Sequence, residues 1–317
     1  MRWADAAEDC DCGMSLTNWV ACIAVTALLA VSLSVILYPL QLRSSPPPCT
    51  PANSTKCAEL RSCKRSVQLE GSGKVCVAEV LQRRARPLPP YSQRMTIAMQ
   101  LTEADALLDA LLRPGIKRYV EWGSGGSTEL VAALALANQL AKGFHAFSIE
   151  SSTKWMHYMR NRSSVVAKAT DNGLLTYRHG NIGQTIFLGF PRHYNGSNSE
   201  DRARVRRKYV SLRQFGRDVD HFDVVLVDGR FRVACAIEAL RFTDDSSTIL
   251  MHDTASGSVP MERYMHYLHG IAPFYETVSL SGTLRRIRPR KSAMHKARTD
   301  SSWFDWNLQQ ALRHTAR

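Results

Sequence analysis

Charge is absent from one stretch of the chain. The residues from Trp19 to Tyr38 contain no Asp, Glu, Lys or Arg, and only Thr26, Ser32 and Ser34 interrupt them with hydroxyls. About 20 helical residues span the ~30 Å hydrocarbon slab of a bilayer, so residues 19–38 are expected to form one transmembrane helix. A cleaved signal peptide is the competing reading, but its apolar core is typically ~7–15 residues behind a basic start. Here the start is acidic, with Asp5, Glu8, Asp9 and Asp11 against Arg2. Trp19 and Tyr38 suit the two membrane interfaces.

Acids are scarce throughout: 28 Asp and Glu stand against 41 Lys and Arg, a formal net charge of +13. Such an imbalance speeds encounter with polyanions, whether nucleic acid, phospholipid headgroups or an acidic glycan. No stacking aromatic motif supports RNA binding, which makes nucleic acid the least favoured of the three. Histidine is missing from Cys49 to Cys76, and its four cysteines (Cys49, Cys57, Cys63, Cys76) lack the paired short spacings of a zinc ribbon. Crowded into a Pro-rich polar stretch that cannot build a core, they read as a disulfide-stapled stem in an oxidising compartment. Sequons at Asn53, Asn161 and Asn195 agree with a lumenal location. Basic residues flanking the apolar run are too few to fix its orientation. The expectation is a single-pass, type II membrane protein with its C-terminal domain in the Golgi or ER lumen, and a cytosol-facing domain is the alternative.

No internal repeat is present, and 44% hydrophobic residues in 317 suffice for a large core. The chain divides into a short tail (1–18), the anchor (19–38), a Cys- and Pro-rich stem (39–94), an α/β domain (95–290) and a basic C-terminal tail (291–317). Within the domain, Thr102 and Asp105 open a helix with Leu107, Leu108, Leu111 and Leu112 on one face, ended by Pro114-Gly115. Strands are expected at 118–122, 146–149, 175–178, 222–227 and 248–251, helices at 129–140, 155–160 and 234–240, and a closing hairpin at 276–280 and 283–287. Short apolar runs alternating with helices define an α/β fold with a mostly parallel, Rossmann-like sheet and a C-terminal antiparallel hairpin.

The first strand runs into Glu121-Trp122-Gly123-Ser124-Gly125-Gly126-Ser127-Thr128, where an open α/β sheet lets a cofactor approach the backbone. The dinucleotide fingerprint wants a third glycine where Thr128 stands, and Glu121 lies two places before Gly123. A carboxylate there repels a pyrophosphate and attracts an ammonium or sulfonium, so a cationic, phosphate-free cofactor is favoured. Glu150 ends the second strand, where a carboxylate can accept both ribose hydroxyls. Trp155 either stacks on adenine or packs in the core, and Asn181 is a candidate for the adenine edge. Asp228, and His252 with Asp253, end the fourth and fifth strands and are expected to converge. Asp228 or His252 is the candidate general base; the plainer reading makes His252 a core histidine and Asp253 a cap. A divalent metal held by Asp228 and Asp253 stays open. Between Gln184 and Asp220 lie Arg192, Arg202, Arg204, Arg206, Arg207, Lys208, Arg213 and Arg217, either a solvated face or an acid-binding wall of the cleft.

Together, Glu121-x-Gly123-Ser124-Gly125-Gly126-Ser127-Thr128, Ser148-Ile149-Glu150, Val227-Asp228-Gly229-Arg230 and His252-Asp253 resemble the class I S-adenosylmethionine-dependent methyltransferases, and more distantly the plant glucuronoxylan methyltransferases. The resemblance covers roughly 102–287. It implies S-adenosylmethionine as cofactor, with Glu121 and the glycine-loop residues around its methionine part, Glu150 at the ribose and Asp228 facing the transferred methyl. The long insertion matches nothing in the family. The function expected is O-methylation of a glycan or another hydroxyl or carboxyl acceptor. The alternatives are a catalytically silent binding module and a cytosolic methyltransferase of a small molecule, lipid or RNA.

Overall fold

The computed structural model describes residues 75–76, 96–186, 189–254 and 261–314, all within one compact unit, Thr50–Arg317. The expected membrane helix, the stem cysteines Cys49, Cys57 and Cys63 and the sequon at Asn53 lie outside these residues, as does the side chain of Cys76. No described helix is long and apolar enough to cross a membrane. Of the stem, Val75–Cys76 pairs antiparallel with Thr96–Ile97.

After helix α1 (Leu101–Leu111) the chain alternates: β1 (Arg118–Trp122), α2 (Gly126–Leu136), β2 (His145–Glu150), α3 (Thr153–Arg162), α4 (Ser164–Asp171), β3 (Leu175–His179). The insertion folds as α5 (Ser199–Val205), a π-helical turn (Arg206–Val210) and a 3-10 turn (Leu212–Phe215). Then follow β4 (Val224–Val227), α6 (Arg232–Ala239), β5 (Thr248–Met251), α7 (Met261–Ile271), the hairpin β6 (Tyr275–Ser281) and β7 (Leu284–Pro289), α8 (Lys291–Thr299) and α9 (Ser301–His314). The seven strands order as β3-β2-β1-β4-β5-β7-β6. The first five are parallel and β7 runs antiparallel to both its neighbours. This is the Rossmann-like sheet with an antiparallel end that the sequence predicts. Chain order reverses between β1 and β4, and ligands of open α/β sheets bind beyond the strand ends at such a point.

Both faces of the sheet are covered, and the strands show it residue by residue. In β4, Val224 and Leu226 enter one core with α1, α2 and α4, while Val225 and Val227 enter the other with α6, α8 and α9. Period-two alternation of apolar side chains on both faces is what a doubly covered parallel strand requires.

Several boundaries differ from the sequence reading. Helix α1 opens at Leu101, and Glu103, not Asp105, closes its first turn by accepting from the Gln100 N–H at 2.6 Å. Helix α2 starts at Gly126 rather than residue 129, so Gly126, Ser127 and Thr128 form its buried first turn. Helix α4 was not foreseen. The largest correction concerns 291–317, expected as a basic tail: through residue 314 it is two helices that bury Ala293, Ala297, Phe304, Leu308 and Leu312 in the second core. Their charged side chains occupy the outer face, which is why composition alone reads them as a solvated tail.

Candidate functional site

Glycine makes the turn after β1. Gly123 has φ +90°, a conformation that L side chains rarely adopt, and a Cβ there would stand 2.8 Å from the Cα of Gly229. The loops after β1 and β4 therefore touch backbone to backbone. Tyr209, from the insertion, closes them from below: its OH accepts from the Arg230 N–H at 2.8 Å, and its carbonyl accepts from Trp122 Nε1 at 3.0 Å.

Glu121 does not face this opening. It is fully buried, and its two oxygens accept from Tyr119 OH and Ser127 Oγ on one side and Ser148 Oγ and Thr128 Oγ1 on the other. Burial pushes its carboxyl up to about 7 against those four donors. The sequence reading placed it against the cofactor; its position makes it the post that ties the first turn of α2 to β1 and β2. Thr128, where the fingerprint wants glycine, serves this post and also accepts from the Gly125 N–H at 3.0 Å.

Glu150 lies at the end of β2 beside the turn. One oxygen accepts from the Ser124 N–H (3.0 Å) and Oγ (2.8 Å), the other from the Ser152 N–H (2.8 Å) and Ser151 Oγ (3.2 Å). Two fixed N–H groups orient the carboxylate. The two hydroxyls have second partners, Tyr177 OH at 2.5 Å for Ser124 and the Gly189 carbonyl at 3.4 Å for Ser151, and can turn aside. Trp155 does not pack in the core: it is exposed, donates from Nε1 to the Ser124 carbonyl at 2.9 Å and stacks on Tyr158 at 5.0 Å. Asn181 is exposed and accepts from the Gly183 N–H at 2.9 Å, holding its own turn.

Asp228, His252 and Asp253 do converge, with one ligand atom from each within 4.8 Å of the others. Two groups the sequence reading did not single out organise them. Arg232 Nη2 donates to Asp228 Oδ1 at 3.1 Å and to Asp253 Oδ2 at 2.8 Å. Glu103 faces His252 Nε2 at 3.4 Å, while Asp228 Oδ1 takes Nδ1 at 2.9 Å. Burial alone would lower the imidazole pKa, but the Asp228 charge and both acceptors raise it to about 10. Burial likewise opposes ionisation of Asp228, yet His252 and Arg232 hold its carboxyl below the usual range. Glu103, bonded by His252 and by Thr283 Oγ1 and N–H, is lowered to about 2. The cluster is thus three carboxylates and two cations. The raised pKa favours the imidazolium, which donates to both acceptors, so of the two candidate bases, Asp228 and His252, His252 is the less suited. The guanidinium already bridges the two aspartates, so these donors do not fit a resident divalent metal as they stand. Arg232 was signalled in the sequence by lying four residues after Asp228; Glu103, far away in the chain, had no such signal.

The basic insertion is mixed. Arg202 is buried, with Nε on Gln309 and Nη1 on the Gly196 carbonyl, Arg204 pairs with Asp201 and Arg206 with Asp305. Arg192, Arg207, Lys208, Arg213 and Arg217 are exposed. The run is neither wholly a solvated face nor a continuous anion-binding wall. Arg230 lies beside the cluster, its guanidinium 4.0 Å over the Phe190 ring.

No protein-family profile matches the chain, and no curated protein does. Solved structures similar to it include a methyltransferase-like protein from Silicibacter pomeroyi, 23% identical over 68% of this chain and 97% of that one, TM-score 0.46. A TehB-like SAM-dependent methyltransferase from Corynebacterium glutamicum is 10% identical over 72% and 98%, TM-score 0.33. The O-methyltransferase NovP is 10% identical over 62% and 82%, TM-score 0.37.

Proposed function

We propose that the domain binds S-adenosylmethionine at the glycine turn and transfers its methyl group to an oxygen of an acidic glycan. The observation that carries this is Glu150: a carboxylate fixed by two backbone N–H groups at the chain reversal, with two serine hydroxyls that can give way to ribose hydroxyls. Across the Gly123–Gly229 contact stand Asp228 and Asp253, whose negative charge favours a sulfonium over a phosphate.

The protonation states narrow the acceptor. In methyl transfer the acceptor oxygen supplies the electron pair for the new O–C bond as the C–S bond breaks and the thioether leaves. A hydroxyl acceptor needs its proton removed, but His252 is already charged and Asp228 is a weakened base. A carboxylate acceptor has no proton to lose. Uronate carboxylates fit this requirement, and Arg230 is a guanidinium placed to pair with one. In the same reading residues 19–38 anchor the chain as a type II protein of the Golgi or ER lumen. The sequences of the anchor and stem support that placement, and Asn161 and Asn195 are exposed for glycosylation.

The test is calorimetry of S-adenosylmethionine and NAD with the detergent-purified full chain and its Glu150→Ala variant, followed by methyl transfer to uronic-acid and neutral oligosaccharides. Micromolar binding of S-adenosylmethionine alone, weakened in the variant, and methyl esters on the acidic oligosaccharides are expected. A folded chain that binds no S-adenosylmethionine is the silent module instead.

A further inference from the structure

A second opening lies away from the glycine turn, between α1 and the face of the sheet where β5, β7 and β6 run side by side. Register places Leu250, Arg286 and Ser279 in one row across these strands, with Thr248 two residues earlier on the same face of β5. Ala106 and Ala110 of α1 are too small to fill the space above them, and a cavity of about 300 Å³ results.

Its polar lining is incomplete in a specific way. Thr248 is only 3% exposed, yet its Oγ1 has no hydrogen-bond partner, and the same holds for the buried Nη2 of Arg113, at the end of α1. A buried donor without a partner is costly, so two of them on residues that line one cavity mark a place where something else supplies the acceptors. Arg286 completes the lining close enough for its charge to depress Arg113, whose pKa burial and then that neighbour lower. Ser279 and Ser281 add hydroxyls, and Asp109 is the one acid in the lining against the two arginines.

We propose that this cavity is a binding site for a small molecule bearing a phosphate or sulfate group, held between Arg113 and Arg286 with Thr248 donating to it. An apolar ligand would leave both orphaned groups unmet, and a cation would meet two guanidinium groups. Tetrahedral oxyanions suit paired arginines, and the volume, at the small end of the ~300–1,000 Å³ range of ligand sites, admits a small ester as well as a free ion. The site is separate from the Asp228–His252 cluster: Ala110 lies seven residues, about 10 Å of helix, beyond Glu103. Because Arg113 lies two residues past the end of α1, which carries Glu103, occupancy also braces the helix that holds His252.

The test is calorimetry on the full chain with inorganic phosphate, inorganic sulfate and phenyl phosphate at fixed ionic strength, with S-adenosylmethionine saturating. Binding is expected, weakened about tenfold in Arg286→Gln and clearly reduced in Thr248→Val. The valine variant, which loses only an unsatisfied hydroxyl, should melt no lower than the native chain. Tighter phenyl phosphate assigns the site to an ester and equal affinity to the free ion. No binding, binding equal in both variants, or binding abolished by S-adenosylmethionine would overturn the proposal.

Discussion

His252 carries the sharpest consequence at the level of single residues. An imidazole flanked by Asp228 and Glu103, with its pKa raised to about 10, does not titrate where a catalytic histidine usually does. On the proposed function, the rate of methyl transfer is therefore expected to show no inflection near the ordinary histidine pKa of about 6.5. A limb there that disappears in His252→Gln would restore the imidazole as a base. Arg232 gives a second test. Its guanidinium holds the position between Asp228 and Asp253 that a divalent cation would need, so the native chain should melt at the same temperature with and without manganese. Arg232→Met removes the cation shared by two half-buried carboxylates, leaving Asp228 with His252 alone, and should lower stability by about 1–3 kcal/mol, with manganese restoring part of it by binding only the folded state. Equal stabilisation of both proteins by manganese would show that the arginine does not own that position. The aspartates and the histidine were legible because strand ends can be read from apolar runs. Glu103 was not, because a buried acid is betrayed only by the partners that the fold brings to it.

Among the elements, the sheet was the readable part. Thr248–Met251 and Arg118–Trp122 stand where the apolar runs place them, and the hairpin strands differ by one or two residues at their ends. These runs are short, nearly continuous and bounded by Gly, Asp or Pro, so few alternatives compete. The last two helices were missed because their charge dominates their composition, although Phe304, Leu308, Ala311 and Leu312 repeat at i, i+4, i+7 and i+8. Their role in the fold is testable. Arg241 Nε donates to the Ala297 carbonyl at 2.8 Å, Tyr194 OH to the Leu312 carbonyl at 2.7 Å, and Arg206 pairs with Asp305. Deleting residues 291–317 strips the cover from α6 and from the insertion that carries Tyr209. The truncated chain is expected to aggregate or to expose its core to a hydrophobic dye. A cooperative melt within a few degrees of the native one would return these residues to the status of a tail.

Across the whole molecule, buried groups with displaced pKa values set how stability follows pH, and their signs can be combined: Glu238, raised by burial, adds to the sign of Glu121, and Asp228, lowered by His252 and Arg232 against its burial, to that of Glu103. Glu103 falls from about 4.5 to about 2, so between those values the unfolded chain binds the extra proton and stability rises with pH. Glu121 is raised to about 7, so from about 4.5 to 7 the folded chain holds the extra proton and stability falls with pH. His252 is raised from about 6.5 to about 10, and the fall continues through that window. The melting temperature should therefore peak on the acid side, near pH 4.5 to 5, rather than at neutrality. Glu121→Gln keeps the shape of the post and cannot ionise, so it should flatten the decline between about pH 5 and 7 while leaving the descent above pH 7 in place. A native profile that is flat from pH 5 to 8, in a chain that melts cooperatively throughout, would mean that Glu121 is ionised with its four hydroxyl donors intact. The post beneath the glycine turn would then carry a full negative charge, and in the proposed function Glu121 would join Asp228 and Asp253 in attracting a cationic cofactor.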